Sequence, residues 1–140
     1  MKHPSRPESG VLAPVRATFR AIAVTVVPEA ARLDDAGWRD VEEIVERALA
    51  ARPPKLRRQL VLFLRVIAAR AVLRHGRTLA RMDAGAKARL LAALEGSRSL
   101  LLRRGFWGLR TLILMGYYGR PRAATEIGYA ADPRGWAARP

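Results

Sequence analysis

The side chains that most often do catalysis are scarce in this sequence. Its two histidines are His3, near the start, and His75, at the end of a predicted helix, where an imidazolium interacts favourably with the helix dipole. Glu42, Glu43 and Glu46 are clustered, but without a nearby histidine they indicate a solvated helix face rather than a metal site. We therefore expect no catalytic and no metal-binding residues, and we expect the chain not to be an enzyme by itself.

Motifs that hold cofactors are also missing. Cysteine is absent, which excludes disulfides, thiolate-bound zinc and iron–sulfur clusters. Neither the glycine pattern of dinucleotide-binding folds nor that of a P-loop occurs. The spaced pairs Gly105 with Gly108 and Gly116 with Gly119 are explained by close helix packing and a helix C-cap. We predict that this chain binds no cofactor.

The charge is large and unevenly distributed. The net charge is +14, and all but three of the 26 basic residues are arginine. Residues 34–46 contain six acids and one base, whereas residues 47–125 contain eighteen bases and two acids. We expect an acidic helix facing a basic remainder, with part of the contrast neutralised inside the fold and the rest available to a partner. Four arginines would align along one helix face if that helix continued past Gly76: Arg70, Arg74, Arg77 and Arg81.

Apolar residues recur at helical spacing in five segments, and no strand pattern is found, so the sequence predicts an all-α, single-domain bundle of about five helices. The first helix begins near Pro14 and ends before Pro28, and the second opens at Asp35 or Asp40. The third, from about Lys55 to His75, is predicted to be central. Its predicted core face consists of Leu60, Phe63, Leu64, Ile67, Ala71 and Val72.

The fourth predicted helix follows Asp83 and ends near Glu95, and the fifth extends from about Ser99 to Met115. We divide the chain into a flexible leader (1–12), a helical domain (13–116) and a tail (117–140). The tail is rich in aromatic residues, glycine and proline, so we expect it to be irregular. It either wraps its own bundle or binds a partner. No apolar run approaches the ~20 residues that a membrane span needs.

Several short motifs resemble those of the gluconate 2-dehydrogenase subunit 3 family, over roughly residues 18–136. The motifs are Val26–Glu29, Asp83–Leu91, Phe106–Leu112, Gly116–Tyr118, Ile127–Tyr129 and Pro133–Trp136. Members of that family are small companions of FAD-dependent glucose–methanol–choline (GMC) oxidoreductases. The resemblance implies that a large partner subunit holds FAD and the catalytic base, while a cytochrome subunit can take the electrons.

The resemblance also implies where the partner binds. We expect contact through the motif aromatic residues and two neighbouring arginines: Phe106, Trp107, Arg110, Tyr117, Tyr118, Tyr129, Arg134 and Trp136. No twin-arginine export signal is seen, so we expect a cytoplasmic complex, or a periplasmic one only if an exported partner carries this chain. Nucleic acid is not an expected partner. The alternative is a free-standing basic helical protein that binds nucleic acid or an anionic membrane surface.

Overall fold

A computed structural model describes residues 10–121, and this part of the chain contains five α-helices and no β-strand. The helices are α1 (Arg16–Val26), α2 (Asp35–Ala50), α3 (Pro54–His75), α4 (Ala84–Glu95) and α5 (Leu100–Tyr118). Short 3₁₀ turns occupy Ala13–Val15, Pro28–Arg32 and Leu79–Arg81. The all-α prediction is confirmed.

The central helix is α1, not α3 as the sequence predicted. Helix α1 contacts α3, α4 and α5 as well as all three 3₁₀ turns. Its Phe19 and Ile22 are fully buried. Helix α3 lies at the outside of the bundle and buries only Leu64, Ile67 and Ala71 completely. Val72, which we placed in the core, is instead exposed.

Capping side chains fix where three of the helices begin. Asp34 caps α2, because its extended backbone directs the carboxylate to the N–H of Gly37, at 2.8 Å. The predicted caps Asp35 and Asp40 lie within the helix instead. Helix α4 begins after Asp83 as predicted, and the Asp83 carboxylate caps it by accepting from the N–H of Ala86 at 2.7 Å. In the same way, the Ser99 hydroxyl accepts a hydrogen bond from the first turn of α5.

A left-handed glycine ends α3. Gly76 has φ of 67°, a conformation that costs little without a side chain, and its N–H donates to the carbonyl of Val72 at 2.9 Å. The helix therefore does not reach Arg77 or Arg81. The condition under which these residues would align with Arg70 and Arg74 along one helix is therefore not met.

Helices α2 and α5 approach closely at a glycine. A Cβ atom on Gly116 would lie 2.9 Å from Cγ2 of Val45, and 3.0 Å from both Cγ1 and the carbonyl oxygen of Val41. Only a residue without a side chain fits this contact unless the helices separate. Close packing, which we inferred for this glycine from the sequence, is confirmed.

The helical unit extends beyond the predicted limits of 13–116. Leu12, assigned to the leader, is fully buried, and α5 continues through Tyr118 with Tyr117 in the core. The rest of the predicted leader and tail, residues 1–9 and 122–140, lies outside the described residues.

Candidate interaction surfaces

A buried carboxylate joins α1 to α2. Glu42 is 7% exposed, and its two carboxylate oxygens accept hydrogen bonds from Nε of Arg16 at 2.9 Å and Nε of Arg20 at 2.5 Å. The guanidinium of Arg20 also lies 5.1 Å from the ring centre of Trp38. Part of the charge contrast is thus neutralised inside the fold. The prediction that Glu42 belongs to a solvated face is wrong.

Glu46, one helical turn later, connects α2 to the segment that precedes α1. Its carboxylate oxygens accept hydrogen bonds from the N–H groups of Val11 and Leu12, each at 2.9 Å. Gly10 leaves room for this contact, because a Cβ atom there would overlap the Glu46 carboxylate. Of the three clustered glutamates, Glu43 is exposed, Glu46 is partly buried and Glu42 is buried.

Two of the predicted contact residues belong to the core. Phe106 and Tyr117 are both buried, on the same side of α5 as Leu109 and Ile113. Residues 106, 109, 113 and 117 are three or four positions apart, so they share one helix face, and that face packs on the bundle. This burial removes Phe106 and Tyr117 from the predicted contact surface.

The opposite side of α5 presents the other two aromatic residues. Trp107 and Tyr118 are each 47% exposed. They share the outward face with Leu100 and Met115, which are exposed to a similar degree. We call these four residues the outer stripe of α5. Arg110 lies beside it, with its guanidinium 5.3 Å from the ring centre of Trp107.

The remaining predicted contact residues are Tyr129, Arg134 and Trp136. All three lie outside the described residues, so their part in the contact surface stays a prediction.

A second exposed apolar face, which we did not predict, lies on α3. Leu62, Val66, Ala69 and Leu73 follow one another at intervals of four, three and four residues, and all are exposed. We call these residues the outer stripe of α3. The sequence did carry a signal for it, because apolar residues occur on every side of α3 while only one side packs on the bundle.

A groove of about 510 Å³ lies between the first half of α3 and the segment that Glu46 holds in place. Gly10, Val11 and Pro14 form one wall, and α3 residues from Pro54 to Arg65 form the other. No carboxylate lines it, whereas Arg57, Arg58 and Arg65 do. Of these arginines, Arg57 also donates from Nη1 to the carbonyl of Arg52 at 2.7 Å, beyond the end of α2.

In residues 10–121, no group of three or more His, Asp or Glu side chains is arranged to hold a metal ion. No helix in this range is long and apolar enough to cross a bilayer.

In comparisons with known proteins, no family model, no curated protein and no solved structure matches this chain. Any functional assignment therefore depends on the sequence motifs and on the surfaces described above.

Proposed function

We propose that this chain is a non-catalytic small subunit that binds and stabilises a large FAD-dependent oxidoreductase of the GMC type. The outer stripe of α5 is the observation that carries the proposal. Two of its four residues, Trp107 and Tyr118, lie within the motif segments Phe106–Leu112 and Gly116–Tyr118, on which the family resemblance depends. The stripe also presents side chains of the kind that anchor protein interfaces.

The chemistry of the stripe suits a protein partner. Trp107 and Tyr118 each combine a large apolar surface with one polar group. The ring can be buried against a partner while its N–H or O–H group forms a hydrogen bond at the edge of the contact. Arg110 restricts the Trp107 ring by stacking against it. Tyr117 meets Tyr118 edge to face, with ring centres 4.9 Å apart. The stripe is therefore partly ordered before it binds, which lowers the entropy cost of association.

Buried motif residues have a supporting role in this proposal. Phe106 and Tyr117 anchor α5 to the bundle from behind, so that the outer stripe is presented on a rigid helix. Under this division of labour FAD belongs to the partner subunit, and a cytochrome subunit completes the complex. Excess arginine on this chain would speed encounter with an acidic partner. The proposal includes a cytoplasmic complex, unless an exported partner carries this chain.

The test is purification of the tagged chain from its native cells, followed by an absorbance spectrum and identification of the co-purifying chains. We expect a yellow eluate that contains a large flavoprotein in fixed ratio. Trp107→Ala and Tyr118→Ala should each reduce the retained flavoprotein at least about tenfold, because truncation of a Trp or Tyr that acts as an interface hot spot costs about 2 kcal/mol or more.

The matched control is His75→Ala, which changes an exposed aromatic side chain on α3 and should leave retention unchanged. Equal retention by all three variants would exclude the stripe as the docking surface. A colourless eluate carrying nucleic acid or lipid would instead favour the free-standing basic protein.

A further inference from the structure

Helix α3 has no acidic residue anywhere along its length, Pro54–His75, a feature that it shares with α1 and α5. It lies at the outside of the bundle, where α-helices of soluble proteins usually carry charges of both signs. Its outward surface combines apolar and cationic side chains with the neutral Gln59 and carries no acid.

The apolar part of that surface is a continuous line. Leu62 is 61% exposed and Leu73 is 84% exposed, with Val66 and Ala69 between them. Their spacing places them on the side of α3 opposite its buried residues. The line is about 16 Å long, at 1.5 Å per residue. A single exposed leucine is ordinary, but an aligned set indicates an interaction surface.

Cationic side chains border this line on both sides. Helical geometry places Arg58 and Arg65 along one edge and Arg70 along the other. An apolar strip with basic residues at both edges is the pattern of helices that lie flat in the interface of an anionic bilayer. The apolar side chains enter the acyl boundary, while the guanidinium groups reach the lipid phosphates.

We propose that the outer stripe of α3 docks this protein on an anionic lipid surface. A flat lipid surface could cover the whole straight line from Leu62 to Leu73. A peptide bound in the neighbouring groove could not. The groove ends at Arg65, so an occupant of the groove would leave Leu73 uncovered. Docking of this kind needs no spanning helix. It also leaves the outer stripe of α5, on another helix, to its own partner.

The experiment measures co-sedimentation of the full chain with vesicles of phosphatidylcholine alone, or of phosphatidylcholine mixed with phosphatidylglycerol. We expect binding to the mixed vesicles only, weakening as salt is raised. Leu62→Gln with Leu73→Gln should lower the partition coefficient about tenfold, since apolar burial is lost. Arg58→Ala with Arg65→Ala should lower it roughly 10- to 30-fold, at about a fivefold loss per arginine.

Two controls make the result specific. Arg39→Ala with Arg89→Ala removes the same amount of charge from exposed sites on α2 and α4, and should leave most of the binding intact. Trp107→Ala should also bind vesicles normally, so failure of this proposal is distinguishable from failure of the proposed function. Circular dichroism confirms that each variant keeps its helix content, as expected for substitutions at exposed positions.

Three results would overturn the proposal. The first is equal binding to both kinds of vesicle. The second is an equal loss in both arginine double variants, since that would show dependence on net charge alone. The third is binding to duplex DNA, or to an acidic protein that co-purifies, while the mixed vesicles are not bound.

Discussion

Helices α2 and α3 are consecutive in the chain, yet they handle charge in opposite ways. In α2 two carboxylates turn inward: Glu42 meets Arg16 and Arg20 of α1, and Glu46 accepts backbone N–H groups. Helix α3 has no carboxylate, and most of its arginines point outward. Charge on α2 therefore helps to assemble the bundle, whereas charge on α3 remains available to something outside it.

Among substitutions that test this difference between α2 and α3, we expect Glu42→Ala to have the largest effect on stability. Glu42→Ala should lower the free energy of unfolding by about 2–3 kcal/mol, because it leaves Arg16 and Arg20 close together without their shared carboxylate. The side chains of both arginines are about one-third exposed, which keeps the loss below that of a fully buried pair.

The matched control is Glu43→Ala, one residue along the same helix and exposed, which should change stability by less than about 0.5 kcal/mol. Urea denaturation of the two variants provides the comparison. Equal losses would mean that acidity of the whole helix, rather than the Glu42 contact, stabilises the fold.

The next effect concerns the packing that holds α2 against α5. Gly116→Ala should destabilise the protein by about 1–3 kcal/mol, since the added methyl group would meet Val41 and Val45. Gly108→Ala, in the same helix, adds a methyl group where no atom lies within 4 Å, and should stabilise the protein by up to about 1 kcal/mol. Thermal unfolding of the pair should show shifts of opposite sign, and two shifts of the same sign would contradict the close contact.

The smallest effect is expected on the outer stripe of α3. Leu73→Gln should change the free energy of unfolding by less than about 0.5 kcal/mol, because the side chain is already 84% exposed in the folded protein. Chemical denaturation of the variant and the unchanged protein measures this difference in the free energy of unfolding. A loss above about 1 kcal/mol would show that other parts of the chain cover Leu73, and that α3 resembles α2 more than the comparison allows.

The number and order of the helices followed from the sequence, because helix ends are set mostly by local residues. Proline at the start of α3, Gly76 at its end and the aspartate cap of α4 each act through residues within one or two turns. The predicted ends of α3 at His75 and of α4 near Glu95 are confirmed.

Burial of charge could not be predicted in the same way. Glu42 lies 26 and 22 residues from its two partners, and nothing in the local pattern distinguishes it from the exposed Glu43. The exposed apolar face of α3 was missed for a related reason. Apolar residues occur on every side of this helix, so only the packing of its neighbours decides which of them are covered.

The aromatic residues of α5 show where two lines of sequence reasoning conflicted. Helical spacing groups Phe106 with Leu109 and Ile113 on one face, whereas the family motif treated Phe106 and Trp107 alike as contacts. Adjacent residues of a helix point about 100° apart, so the two cannot share a surface. Spacing was the better guide here, and the same rotation separates Tyr117 from Tyr118.

One turn of α2 has a mechanical consequence. Val45 touches α5 at Gly116, and the next residue, Glu46, holds the backbone of Val11 and Leu12. Two adjacent residues of α2 therefore contact a wall of the groove beside α3 and the helix that carries the outer stripe of α5. A tilt of α2 would move the groove and the outer stripe of α5 together. Moving one without the other would require breaking either the two hydrogen bonds of Glu46 or the close contact at Gly116.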